Sequence, residues 1–171
     1  MTHIRQLAEG ATELDRVWNL RPQFYAVFMD DYNRSIARVE PTLIELCRLR
    51  MAILLASDLD RSLRYRAAVA AGLSEAKLAE LGCYTSSPLF SERERICIDF
   101  AERFVIQSST ITDEDTDRVQ TMLTPEEFVY FVKALSVIDQ FQRACVAFDV
   151  RPGDTVPPKM SGAFQPAPRP N

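Results

Sequence analysis

Between Glu13 and Val150, apolar residues recur at every third or fourth position, and no long alternating β-branched run interrupts them. That spacing places one apolar stripe on each of a series of helices. Only five glycines are available to break the series. The pattern predicts an all-α chain with one domain over residues 1–150 and a separate tail over 151–171.

Local signals divide the helices. "ELDRVWNL" reads as a short first helix, and Pro22 suits the first turn of a second whose stripe is Phe24, Val27, Phe28 and Tyr32. Pro41 opens a third, with Leu43, Ile44, Cys47 and Met51 inward; its end, "MAILLA", is apolar all round and reads as buried. A fourth runs through "LLASDLDRSLRYRAAVAA" and stops at Gly72, a good C′ residue. Ser74 caps a short helix ending at Gly82, and a loop containing Pro88 follows. Ser91 with Glu94 is a capping box for a helix with stripe Ile96, Phe100, Phe104 and Val105. "TDEDTDRVQTML" is acidic at its start, as the helix dipole favours. Thr124, Pro125 and Glu127 open a long, aromatic-rich last helix, expected at the core centre. Beyond Val150 lie six of the ten prolines. That segment reads as extended, with little to bury, or as lying along a neighbouring subunit with Phe164 as anchor.

Composition excludes several functions. A net charge of −4 with no basic stripe gives no nucleic-acid footprint. No apolar run approaches the roughly 18 residues of a membrane span, and "MTHIRQLAEGATELD" lacks the apolar core of a secretory signal. None of the four cysteines stands in a C-x-x-C pair. They read as buried small hydrophobes in a reducing cytoplasm. The one histidine, His3, lies near a terminus, which leaves no imidazole base or metal ligand in the domain. No metal and no cofactor are expected.

The fourth helix carries Ser57, Asp60 and Arg64 on one stripe, followed by Ala68 and Ala71. One reading is purely structural: Ser57 and Asp60 form a capping box, and Asp60 and Arg64 an i, i+4 ion pair. The other is chemical. The preceding helix carries Glu45 and Arg48, and a tight turn would bring Glu45 near Asp60 and Arg64. Two carboxylates and a guanidinium around one hollow bind an organic anion and move a proton. The better base is whichever carboxylate has no arginine partner. Asp139 and Arg143 on the last helix are either a second polar element of that pocket or a salt pair. Trp18 and Tyr25 fit core or interface packing better than ligand stacking.

"ELCRLRMAILLASDLDRSLRYRAAVAAGLSE", "SERERICIDFAERF" and "TPEEFVYFVKALSVIDQFQRACVAFDV", in that order, resemble the carboxymuconolactone decarboxylase and AhpD-like alkylhydroperoxidase superfamily. The resemblance spans about residues 15–150. It implies an AhpD-like helical domain assembled as a homotrimer or homohexamer, with sites near subunit contacts. The peroxidase signature E-x(11)-C-x-x-C-x-x-x-H aligns with Glu45, Ser57, Asp60 and Arg64. Neither serine nor aspartate can replace the attacking and resolving thiols of a peroxidase. The decarboxylase branch carries an acidic residue and a histidine at the positions of Asp60 and Arg64. Carried over, Glu45 or Asp60 would shuttle the proton and Arg64 would hold a carboxylate or enolate, with Ser57, Arg48, Asp139 and Arg143 contacting substrate. Arginine binds and polarises but does not exchange protons near neutrality.

The sequence therefore points to a cofactor-free lyase or isomerase of a small anionic organic acid or lactone. The alternatives are a non-catalytic oligomeric binding protein of the same fold and an AhpD-like peroxidase.

Overall fold

The computed structural model describes residues 2–168. Nine helices and one two-stranded ribbon are present among them: α1 Glu13–Trp18, α2 Pro22–Ile36, α3 Pro41–Leu55, α4 Asp58–Arg61, β1 Leu63–Tyr65, α5 Arg66–Ala70, α6 Glu75–Ala79, α7 Glu92–Gln107, α8 Asp113–Gln120, α9 Pro125–Ala147 and β2 Phe164–Pro166. The fold is all-α, as the periodicity predicts. Helix α3 lies at the centre, packed against α7 and α9, and α2 covers α9. No helix among the described residues is long and apolar enough to cross a membrane.

Most helix starts follow from local chemistry. Ser91 with Glu94, and Thr124 with Glu127, form the predicted capping boxes. Thr12 with Asp15 and Thr112 with Asp115 add two more, using aspartate where the expected signature has glutamate. Pro22, Pro41 and Pro125 each occupy a first turn, and Gly72 (φ 93°) follows α5 in the left-handed conformation that glycine adopts freely. The inward residues of α3 (Leu43, Ile44, Cys47 and Met51) are buried, as are Phe131 and Phe141 of α9.

Four expectations need correction. First, residues 54–72 are not one helix. Helix α3 ends at Ala56, whose left-handed φ of 56° turns the chain, and α4 is a single turn before an extended β1. The cause is tertiary. The Asp60 and Leu63 carbonyls, which a continuous helix would use internally, accept from the Arg48 guanidinium at 3.0 Å each. The Tyr65 N–H goes to Glu45 Oε1 at 3.0 Å. Buried charges on α3 have taken the helical hydrogen bonds of the next segment.

Second, the tail does not project from the domain. Strand β2 pairs antiparallel with β1 in the register Leu63↔Pro166, Arg64↔Gln165, Tyr65↔Phe164. Met160 and Phe164 are fully buried, so the anchor at Phe164 is seated in its own chain. Third, Phe24 and Val27 of α2 are 53% and 72% exposed; the helix buries Tyr25, Phe28, Met29, Tyr32 and Ile36 instead. Fourth, Ile53 and Leu54 at the end of α3 are exposed rather than enclosed.

Candidate functional site

The residues singled out in the sequence separate into an inner group, an outer group and an ion pair on α9. The inner group is Glu45, Arg48, Ser57 and Asp60, all fully buried. Arg48 donates from Nε to Glu45 Oε2 at 2.7 Å and from one terminal nitrogen to Glu45 Oε1 at 2.9 Å. Its other terminal nitrogen reaches Asp60 Oδ1 at 3.1 Å. With the two backbone carbonyls already described, this uses all five donors of a guanidinium. Ser57 donates to Asp60 Oδ2 at 2.8 Å, so its hydroxyl meets the carboxylate and not a backbone amide, and its own N–H goes to the Ala52 carbonyl; the expected capping box is not made.

Both carboxyl groups therefore share Arg48, and neither contacts Arg64. Burial pushes the Asp60 carboxyl above its ordinary value, against the opposing pull of Arg48, Ser57 and Gln142. Burial pulls the Arg48 guanidinium down, but Glu45 more than offsets this and the group stays charged. The Tyr32 hydroxyl, raised first by burial and then by Asp60, stays protonated and has no hydrogen-bond partner; nor does Gln142 Oε1.

A pH signature follows for Asp60. A carboxyl with a raised pKa binds its proton more tightly folded than unfolded. Its contribution to stability thus falls as pH rises from the ordinary 3.8, and is fully lost above its folded pKa. Asp60→Asn removes this term. Urea midpoints measured upward from about pH 4 are expected to fall less steeply for the variant than for the wild type.

The outer group is built around Arg64. In a strand, side chains alternate, so Leu63 and Tyr65 point into the core and Arg64 points out. Its side chain is only 13% exposed and forks onto both oxygens of Glu75, at 2.8 and 2.9 Å. It also donates to the carbonyls of Arg61 and Leu63 at 3.0 and 2.9 Å. The Leu63 carbonyl thus accepts from Arg48 on one side and Arg64 on the other. One backbone oxygen ties the buried ions to the outer arginine.

Arg64 lines an open cleft of about 720 Å³ together with the polar Arg61, Arg151 and Asp58 and the apolar Leu49, Ile53, Leu78 and Leu81. Arg61 and Arg151 reach opposite oxygens of Asp58 at 3.4 and 3.7 Å, and both guanidiniums remain about half exposed. A second cleft of about 520 Å³ shares Arg61, Ser62 and Arg64 and is lined also by Val156 and Pro166 of the tail. Sequence reasoning missed Arg61 and Arg151. Arg61 could have been found from the i, i+3 spacing to Arg64, whereas Arg151 is brought in only by the tail's return.

Asp139 and Arg143 bond to neither group. They form an ion pair at 2.8 Å on α9, and Arg143 also donates to the Val105 carbonyl on α7. These contacts fit the salt-pair alternative. Trp18 and Tyr25 pack in the core, where Tyr25 donates to Asp15 at 3.0 Å.

The thiols sort by burial. Cys47, Cys97 and Cys145 are buried and Cys83 is exposed, all free. Burial pushes Cys97 up to about 12 and holds Cys47 and Cys145 well above the ordinary thiol range. None of the three supplies a thiolate near neutrality. A chromogenic disulfide reagent is expected to titrate one of the four thiols in the native protein and all four in denaturant. Rapid reaction of a second native thiol would contradict this placement.

No family model matches the chain, and no curated protein matches it in sequence. Among solved structures, it is similar to a protein of unknown function from Agrobacterium tumefaciens, for which a role in antioxidant defence as an AhpD protein has been suggested. The two share 19% identity and superpose with a TM-score of 0.69, over 81% of this chain and 96% of that one. At that identity the likeness is one of architecture: the chain has the AhpD-like all-α fold.

Proposed function

We propose that the protein binds a small organic anion with an apolar body, in the cleft walled by Arg61, Arg64 and Arg151. The observation that carries this reading is the mixed lining of that cleft. Guanidiniums share its wall with leucine and isoleucine side chains, a combination that suits a carboxylate joined to a hydrocarbon or ring. The cleft is open, whereas the carboxyl groups expected to move protons are sealed. The one carboxylate among its described lining residues, Asp58, is already paired with arginine, as is Glu75, the partner of Arg64. The chemistry therefore favours the non-catalytic binding role among the functions the sequence suggested.

Calorimetric titration with benzoate and hexanoate, against benzamide and hexanamide, tests the proposal. The acids are expected to bind and the amides are not. Equal binding of both series would refute charge recognition.

Turnover of the bound anion by a cofactor-free lyase or isomerase is the second reading. It is favoured by one feature: Asp60 keeps its proton beyond the ordinary carboxylate range and lies beside a charged guanidinium. Such a carboxyl is a competent proton donor to a group that reaches it in its buried setting. Peroxidase chemistry has no support, since serine and aspartate occupy the positions aligned with the two signature cysteines.

We also propose homo-oligomeric assembly, as a trimer or paired trimers, through apolar surface such as Leu20, Phe24 and Val27. Free thiols in every described cysteine suit a cytoplasmic location.

A further inference from the structure

Phe164 lies fully buried in a setting that resembles a ligand pocket more than a helix-packing core. Its ring lies 5.1 Å from the Arg48 guanidinium carbon, with ring centroids of Tyr65 and Tyr32 at 5.6 and 6.2 Å. Two aromatic rings and a cation thus hold a third ring. The segment that delivers it is short and proline-rich. Its strand has three residues, one of them Pro166, which has no N–H to give the ladder. The flanking ties centre on Arg66: its side chain donates to the Ser161 and Phe164 carbonyls at 3.2 and 2.9 Å and to Gln165 Oε1 at 3.4 Å, and its N–H to the Ala163 carbonyl at 2.9 Å. Beyond it, the Ala167 N–H reaches the Ser62 carbonyl at 2.8 Å and Asn33 the Lys159 carbonyl at 3.3 Å. The hydroxyl of Tyr32, one of the rings that hold Phe164, has no partner. The enclosure is aromatic and polar, and its own occupant leaves that hydroxyl unmet.

We infer that the Phe164 position is a second binding site, closed in this structure by the protein's own tail. Its external ligand is a small, uncharged, planar ring bearing a hydroxyl. The ring replaces the Phe164 ring between Tyr32, Tyr65 and Arg48 when β2 peels from β1. The hydroxyl group meets the polar side of the pocket, where Tyr32 lacks a partner. An anion is disfavoured, because Glu45 and Asp60 already set two carboxyl groups against one guanidinium. The site is separate from the outer cleft. The Arg64 side chain leaves the opposite face of β1 from Tyr65, so different side chains form the two sites.

The test uses the full chain and phenol as probe, with benzoate as the charged comparison. Phe164→Ala removes the internal competitor and is expected to bind phenol about 10- to 100-fold more tightly than the wild type. Arg64→Ala is expected to leave phenol affinity unchanged, which separates this site from the proposed anion cleft. Equal phenol affinity in folded Phe164→Ala and wild type overturns the inference, and an equal gain for benzoate overturns the ligand class. Should Phe164→Ala not fold, Arg66→Ala decides, since it removes only the side-chain tether to the tail. Faster hydrogen exchange at the Ala167 amide, by about 10-fold, together with tighter phenol binding supports a displaceable strap. Unchanged exchange and affinity overturn it.

Discussion

Arg48→Ala is expected to leave the protein largely unfolded at 25 °C. The side chain is fully buried and is the shared partner of Glu45 and Asp60. Removing one member of a buried ion group strands the others, at a cost of about 3–5 kcal/mol. Here the substitution also empties a large packed volume, takes the guanidinium from the Asp60 carbonyl and leaves the Leu63 carbonyl to Arg64 alone. Whole-domain stabilities are about 5–15 kcal/mol, so one such loss consumes much or all of the margin. The control removes the charges together. Glu45→Gln, Arg48→Met and Asp60→Asn in one chain leave no buried ion behind. That triple variant is expected to have a higher urea midpoint than Arg48→Ala. A folded Arg48→Ala with a midpoint near the wild type would show that the cluster does not hold the α4–β1 segment.

Arg64→Ala is expected to do the opposite: keep the fold and lose the ligand. A charge-assisted hydrogen bond contributes about 1.5–3 kcal/mol, which corresponds to a loss of about 10- to 150-fold in carboxylate affinity. The stability cost is smaller, because the Glu75 partner is half exposed and returns to water. Arg64→Lys is expected to fall between the two, since an ammonium keeps the charge but not the fork. Titration calorimetry with benzoate on the three proteins gives the order wild type, Lys, Ala. An unchanged affinity in the alanine variant would remove Arg64 from the site.

The helices were legible because their causes are local. Thr124 and Glu127 satisfy each other's backbone amides within four residues, and Leu43, Ile44, Cys47 and Met51 mark one face of α3. The candidate residues were legible too, but not their grouping. The spacing of Ser57, Asp60 and Arg64 fits one face of a helix only if the segment is helical. It is not, because Glu45 and Arg48, more than ten positions upstream, take its backbone partners. Periodicity carries no trace of that competition. The pairing of Asp60 with Arg48 and of Arg64 with Glu75 depends on it. The tail was unreadable for a related reason. Two apolar side chains, Met160 and Phe164, hold a segment that its proline content marks as unstructured, and hydrophobicity averaged over the segment hides them. Phe24 and Val27 sit at helical spacing with Phe28 and yet face outward, since the stripe that meets α9 is centred on Tyr25, Phe28 and Tyr32.

The central claim is a division of labour: the inner ions hold the backbone that the outer arginines need. A crystal structure of the protein saturated with benzoate tests it most directly. The account predicts the benzoate carboxylate within hydrogen-bond distance of Arg64 or Arg61 in the outer cleft, with the Arg48–Glu45–Asp60 contacts unchanged. A carboxylate seated on Arg48, with Glu45 or Asp60 swung away, would contradict it.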